Sequence, residues 1–517
     1  MDKQQFTEKI QQSYAFKGES ILLGSAVFAN DYETASQIKL PLKTMNRHGL
    51  IAGATGTGKT KSLQVIMEGL SDAGVPVLAM DIKGDLSGLG AEGSSNSIIE
   101  QRANYIGIDW KAKSYPIEFL SISDEPGVRL RATVSEYGPV LLSKILSLNE
   151  NQEGILSMVF KYCDDRKLPL LDLKDLKSVL NYAQNEGKEE FKKEYGLIST
   201  SSTGVILRKI ITLEQQGGEN IFGEPSFDVN DLLFTNNRGQ GMINILRLTD
   251  IQDKPDLFSS FILCLLAEVF QTMPEVGNPD KPKLVIFIDE AHLVFKNATK
   301  NLLDQLEMTI KLIRSKGIGI FFITQSPTDI PANVLGQLGT KIQHALRAFT
   351  AKDRKDIKSA SENYPSSDFY VVDQLITQLG TGEALVSGLD EKGRPTELAH
   401  TLMRPPFSRM DVLSEQEISS HIRSSALARE YNVEIDRESA YEILQSRVAE
   451  QTRETEQKIE KARTAPKGRP KPQQSTLEKI IKSPVTNTIA REVTRGLLGV
   501  LGIKTTSRGR SRSIFKF

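Results

Sequence analysis

Cysteine is nearly missing from this chain: Cys163 and Cys264 are the only two in 517 residues. Two cysteines cannot build a disulfide scaffold, and their scarcity suits a reducing, cytoplasmic compartment. No apolar run reaches about 18 residues, so no membrane-spanning helix is expected. The opening residues Met1-Asp2-Lys3-Gln4-Gln5 lack the apolar core of a secretory signal. No segment repeats at a fixed period, which argues against a solenoid or propeller. Net charge is absent as well, since 65 Lys and Arg balance 65 Asp and Glu. That balance hides an asymmetry. Residues 464–517 hold twelve Lys/Arg against two Asp/Glu, a net of +10, which leaves −10 for residues 1–463. A basic tail of this kind suits nucleic acid or another acidic surface.

What is present begins with a glycine pattern. Gly53-Ala54-Thr55-Gly56-Thr57-Gly58-Lys59-Thr60 fits G-x-x-x-x-G-K-[ST], a loop whose backbone N–H groups close around phosphate oxygens. Glycine is needed where a Cβ would intrude. Lys59 can reach the β- and γ-phosphates of ATP, and the Thr60 hydroxyl can ligate Mg2+. An apolar run precedes the loop, and Ser62–Leu70, just beyond Lys61, has helical spacing. Strand, glycine turn and helix N-terminus is the order that phosphate binding requires. Val77-Leu78-Ala79-Met80-Asp81 reads as the next buried strand, so residues 48–81 form a βαβ unit with a parallel sheet.

The organisation around this unit follows from composition. Residues 1–45 carry one apolar run, Ile21–Val27, enough for short strands packing on the core. Residues 46–404 read as one α/β ATPase core. Within it, 128–220 is rich in Leu, Lys, Glu and Asp at helical spacing, as in Leu141, Ile145, Leu148 and Leu173, Leu176, Val179, Leu180. This stretch reads as a helical insertion. Strand signals return at Met242–Leu246, followed by a long apolar helix over 257–270, a second helix over about 299–315, and the strands Leu284–Ile288 and Ile318–Gln325. Residues 405–463 read as a helical extension, with a Ser414/Glu417 capping box and an N-cap at Asp436. Residues 464–517 read as a basic linker, an amphipathic segment with Val485, Ile489, Val493 and Leu497, and a disordered end at Arg508–Arg512.

Five apolar residues, Leu284 to Ile288, run into Asp289-Glu290. A buried parallel strand delivers such side chains to the carboxyl edge of the sheet, where ligands bind. There Asp289 would hold Mg2+ and Glu290 would accept a proton from attacking water. Gln325 closes the following strand, where its amide would touch either the γ-phosphate or the attacking water as a polar sensor. A strand placed between the P-loop strand and the Asp-Glu strand, with a catalytic Glu, marks the ASCE class of P-loop ATPases. Hydrolysis at a subunit boundary needs a cation from the neighbour, and Arg314 and Arg347 are both candidates. Arg47 either returns to the nucleotide or pairs with an acid at the sheet edge. Asp81 either orients Lys59 and a magnesium-bound water or caps its own loop.

Taken together, the runs Arg47–Thr60, Met80–Leu86, Phe287–His292, Arg314–Gly317 and Ile323–Gln325 resemble the HerA–FtsK superfamily. Thr133–Glu136, Val276–Pro282 and Gly336–Gly339 narrow the resemblance to the bacterial HerA-helicase-like ATPases of the YjgR type, over roughly residues 20–404. The resemblance implies a RecA-like core, a hexameric ring and ATP-driven movement on double-stranded DNA. It assigns Lys59 and Thr60 to phosphate and magnesium, Asp289 to magnesium and Glu290 to water activation. It makes Arg314 the finger that acts in trans, Arg47 a nucleotide-sensing arginine and Gln325 the sensor, and it matches Arg347 to a basic position. Full-length HerA carries an N-terminal β-barrel that docks a nuclease, and residues 1–45 are too short to form one. The competing expectation is an ATP-gated assembly ATPase that acts on protein partners without DNA work.

Overall fold

The computed structural model describes residues 3–464, apart from residues 30, 253, 297–299, 349 and 436. The expected N-cap at Asp436 and the segments beyond residue 464 lie outside the described residues. The chain divides into two compact units, Met1–Val448 and Ala449–Phe517, and the site lies in the first.

Twelve strands form one sheet. In chain order they are β1 (Ser20–Phe28), β2 (Asp31–Pro41), β3 (Gly49–Ala52), β4 (Val77–Asp81), β5 (Ile117–Ser121), β6 (Val128–Arg129), β7 (Ile243–Arg247), β8 (Leu284–Ile288), β9 (Ile318–Thr324), β10 (Thr340–Gln343), β11 (Glu383–Ser387) and β12 (Ala399–Met403). Their order across the sheet is β2-β1-β12-β11-β10-β3-β9-β8-β4-β7-β5-β6. From β10 to β6 every pairing is parallel, and from β10 to β2 every pairing is antiparallel. β9 lies between β3 and β8, so the strand order is the one expected of the ASCE class.

The parallel strands are apolar on both faces, as a sheet covered on both sides must be. Leu50, Leu78, Met80, Ile286, Ile288, Ile320 and Phe322 face one core. Ile51, Val77, Ala79, Val285, Phe287, Phe321 and Ile323 face the other. The first core is closed by the helices Pro255–Thr272 and Lys300–Ile313 and by five helices between Val134 and Gln215. The second is closed by the P-loop helix Lys59–Asp72.

The N-terminal residues depart from the expectation of short strands lying on the core. β1 and β2 are nine and eleven residues long, and β1 pairs with β12, continuing the sheet at its edge. A Cβ at Gly24 would lie 1.9 Å from the Leu402 carbonyl oxygen, so glycine permits this close approach. A helix, Lys3–Ser13, precedes them and buries only Phe6 and Ile10.

The helical stretch opens with a capping box in which Thr133 and Glu136 exchange hydrogen bonds. Ser414 and Glu417 form the expected box for the helix Glu415–Ser424. The next expected helix runs Ala440–Thr464; the Ser439 backbone N–H ahead of it donates to Glu442. Cys163 and Cys264 are both free and buried. No helix among the described residues is long and apolar enough to cross a membrane.

One buried ion pair fastens the end of β12 to the P-loop helix. Arg404 donates to Glu68 at 2.8 Å and also to the carbonyls of Leu22, Val65 and Pro405. The other Glu68 oxygen accepts from the Ser408 amide and hydroxyl. A buried charge pair is tolerated when its remaining lone pairs and protons are satisfied in this way.

Candidate active site

β3 ends at Ala52, and the chain turns through Gly53–Gly58 into the helix that begins at Lys59. Gly53, Gly56 and Gly58 have φ of 153°, 77° and 106°, a region open to glycine. At Gly53 a Cβ would also stand 2.5 Å from the His344 Cβ. The Ala54 N–H donates to Ala345, and the Gly382 N–H donates to Thr57. Arg102 braces the same corner by donating to the carbonyls of Thr381, Gly382 and Met403. Thr55 and Gly56 are exposed at the tip.

Lys59 is buried, and its ammonium donates to the carbonyls of Gly53 (2.6 Å) and Ala54 (3.0 Å). The charge is thus held at the centre of the loop. Burial, followed by the nearby Lys83 charge, lowers its pKa. Thr60 Oγ1 donates to Asp85 Oδ2 at 3.0 Å. Lys61 turns away and donates to the Met410 carbonyl.

At the end of β8, Asp289 is 7% and Glu290 6% exposed. Burial pushes the Asp289 carboxyl up to about 7, against the pull of Lys83. Glu290 has φ of 46°, a left-handed backbone uncommon for a side-chain-bearing residue. Its Oε1 is paired with Lys83. His292 Nδ1 lies 3.1 Å from Oε2 but without the geometry of a hydrogen bond. The Ala291 N–H donates to Ile323, and the Gly53 N–H to Thr324. These two bonds bring the Asp-Glu turn, the P-loop and the exposed Gln325 to one sheet edge.

The donor set suits ATP with Mg2+. A turn whose glycines leave backbone N–H groups unobstructed can close on phosphate. The Thr60 hydroxyl and the Asp289 carboxylate are hard oxygen ligands of the kind Mg2+ takes, one or two from protein and the rest from phosphate and water. Accordingly, no group of three or more His, Cys, Asp or Glu among the described residues is arranged as a metal cage.

The remaining sequence candidates separate. Asp81 does not reach Lys59. Its carboxylate accepts the N–H groups of Gly84 (2.7 Å), Asp85 (3.2 Å) and Leu86 (3.1 Å), which is the loop-capping alternative. Arg47 ends the 3-10 turn before β3 and therefore lies at the amino edge, with the four residues of β3, about 13 Å at 3.3 Å per residue, between it and the loop. That places it at the opposite edge of the sheet from its own P-loop, and among the described residues no acid pairs with it. Arg314 precedes β9 at that same amino edge. Burial and then the Arg47 charge lower its pKa. Arg347 follows β10 at the carboxyl edge, exposed, with its guanidinium on the Thr377 carbonyl.

His48 sets this geometry. Its Nε2 donates to Ile310 (2.7 Å) and its Nδ1 accepts from Ile320 (3.0 Å). The ring thus ties the start of β3 to both flanks of Arg314.

The model for "Helicase HerA-like C-terminal" matches residues 27–506. The chain belongs to the helicase HerA-like C-terminal family. It is a P-loop ATPase of the HerA–FtsK type. It is 22% identical to the DNA double-strand break repair helicase HerA of Sulfolobus acidocaldarius over 386 residues, 73% of this chain and 68% of that one. It is 26% identical to a probable helicase of Methanocaldococcus jannaschii over 387 residues, 69% and 66% of the two chains. The chain thus spans about two thirds of the length of these relatives. In fold it is similar to the bacterial conjugative coupling protein TrwBdeltaN70, with a TM-score of 0.52 at 14% identity over 79% of this chain and 95% of that one.

Lys83, Asp85, His344 and Gly382 stand in this ATPase site without having been singled out from sequence. Lys83 and Asp85 sit in the quoted run Met80–Leu86, and the spacing of that run beside the second strand was a usable signal. His344 and Gly382 offered none, because they meet the loop only through the fold.

Proposed function

We propose that this ATPase works as a ring of six copies that binds ATP and Mg2+ at Gly53–Thr60 and moves on or remodels double-stranded DNA. The observation that carries the reading is the separation of Arg314 from its own P-loop. Both stand on one parallel sheet, at opposite edges. An arginine at the amino edge serves a phosphate only on a neighbouring copy, and such a finger is worth about 10^3–10^5 in rate. Arg347, at the carboxyl edge, is then left to act within its own subunit.

In this mechanism Lys59 moves from the Gly53 and Ala54 carbonyls to the terminal phosphates. Thr60 and Asp289 would hold Mg2+, which when bound would screen phosphate charge. Glu290 takes the proton of the attacking water, and Gln325 orients that water or the γ-phosphate. The matched relative named as a DNA repair helicase and the basic residues after 464 support duplex DNA as the track. The test is ATP turnover with and without duplex DNA across salt concentrations. Stimulation that fades steeply with salt supports the reading; no stimulation at low salt counts against it.

A second reading has a specific observation behind it. Leu197 and Ile211, on the helical insertion, are 72% and 46% exposed. Docking of a protein partner there would make the chain an ATP-gated assembly factor, with turnover stimulated by that protein and not by DNA.

A further inference from the structure

Lys83 extends from a loop whose backbone is fixed. The buried Asp81 carboxylate takes three consecutive N–H groups of that loop, and Gln252 donates to the Ile82 carbonyl at 2.7 Å. Gly84 adopts φ of 75° to make the turn. The link continues sideways. The Thr249 and Asp250 N–H groups donate to Glu125, and Glu125 pairs with Arg247. The loops after β4, β5 and β7 are therefore tied together, and Lys83 is the side chain they send toward β8.

Its ammonium pairs with Glu290 Oε1. The Glu290 side chain is 8% exposed, while Lys83 is 38% exposed. Glu290 itself sits on a left-handed backbone. A pair half open to water adds little to folding, yet this one engages a carboxylate oxygen at the position where water must be deprotonated. An ammonium held on a carboxylate oxygen occupies a lone pair that would otherwise face the attacking water.

We propose that Lys83 is a positioning residue that restrains Glu290, so that hydrolysis waits until the ammonium leaves the carboxylate. The proposal rests on Glu290 as the general base.

The test compares wild type, Lys83→Met, Lys83→Gln, Lys83→Arg and Glu290→Gln as full chains. Turnover and KM for ATP are measured without added partner. Affinity for a fluorescent non-hydrolysable ATP analogue and thermal unfolding are measured alongside. Lys83→Met and Lys83→Gln are expected to raise kcat about 3- to 10-fold, equivalent to about 0.7–1.4 kcal/mol of barrier. KM and analogue affinity stay as in wild type, and Lys83→Arg keeps the restrained rate. A kcat that is unchanged or lower in both neutral variants overturns the restraint, as does a parallel loss of analogue affinity. Normal hydrolysis by Glu290→Gln overturns the base assignment and the restraint with it. An inactive Glu290→Gln beside unaccelerated Lys83 variants overturns the restraint alone.

Discussion

Thr60 Oγ1 donates to Asp85 Oδ2 at 3.0 Å, joining the first turn of the P-loop helix to the loop after β4. The hydroxyl expected to ligate Mg2+ is thus oriented by a carboxylate from a second strand. Groups that orient a metal ligand typically contribute about 10- to 100-fold in metal affinity. Asp85→Ala is expected to raise the Mg2+ concentration for half-maximal turnover by about tenfold. A magnesium titration at saturating ATP checks this, and an unchanged midpoint would remove Asp85 from the site.

Gly53 stands where no side chain fits. Its φ is 153°, and a Cβ would lie 2.5 Å from that of His344. Gly53→Ala must shift the loop or the histidine, at a cost of about 1–3 kcal/mol. Denaturant unfolding should register that loss, and binding of an ATP analogue should weaken with it. Wild-type stability and affinity in the variant would show that the loop moves freely.

His48 supplies a pH dependence with a defined sign. Burial, which dominates, holds its pKa at about 4 against an ordinary 6.5. The unfolded chain therefore takes the proton first as pH falls. The stabilising contribution is complete above about 6.5 and is lost as pH drops toward 4. His48→Gln removes this component. Between pH 7 and 4.5 wild type should lose on the order of 2 kcal/mol more than the variant. Denaturant midpoints across that range provide the measurement, and parallel curves would contradict it.

The parts legible in sequence are those whose chemistry is local. Gly49–Thr60 and Leu284–Glu290 each carry strand, turn and functional side chain in one run, so strand order around them could be anticipated. What escaped depends on register between distant segments. Arg47 lies six residues from Gly53 along the chain, yet a parallel strand separates them by its full length. Asp81 looked equally able to meet Lys59 or to cap a loop, because only the turn at Gly84 decides where its oxygens point. β11 and β12 were missed for another reason. They mix Glu383, Ser387, His400 and Thr401 with apolar residues, and their antiparallel pairing carries no motif. The helix Lys3–Ser13 buries two side chains in eleven residues, too weak a periodicity to stand out.

In the proposed ring each site is completed by Arg314 of a neighbouring copy. Mixing Arg314→Ala with Glu290→Gln subunits, each inactive alone, tests it most directly. In a mixed ring some boundaries join the intact Glu290 of one copy to the intact Arg314 of the next. ATP turnover is therefore expected to rise above both parents and to peak at intermediate mixing ratios. Turnover at the level of the parents across all ratios, in rings shown to exchange subunits, would contradict the account.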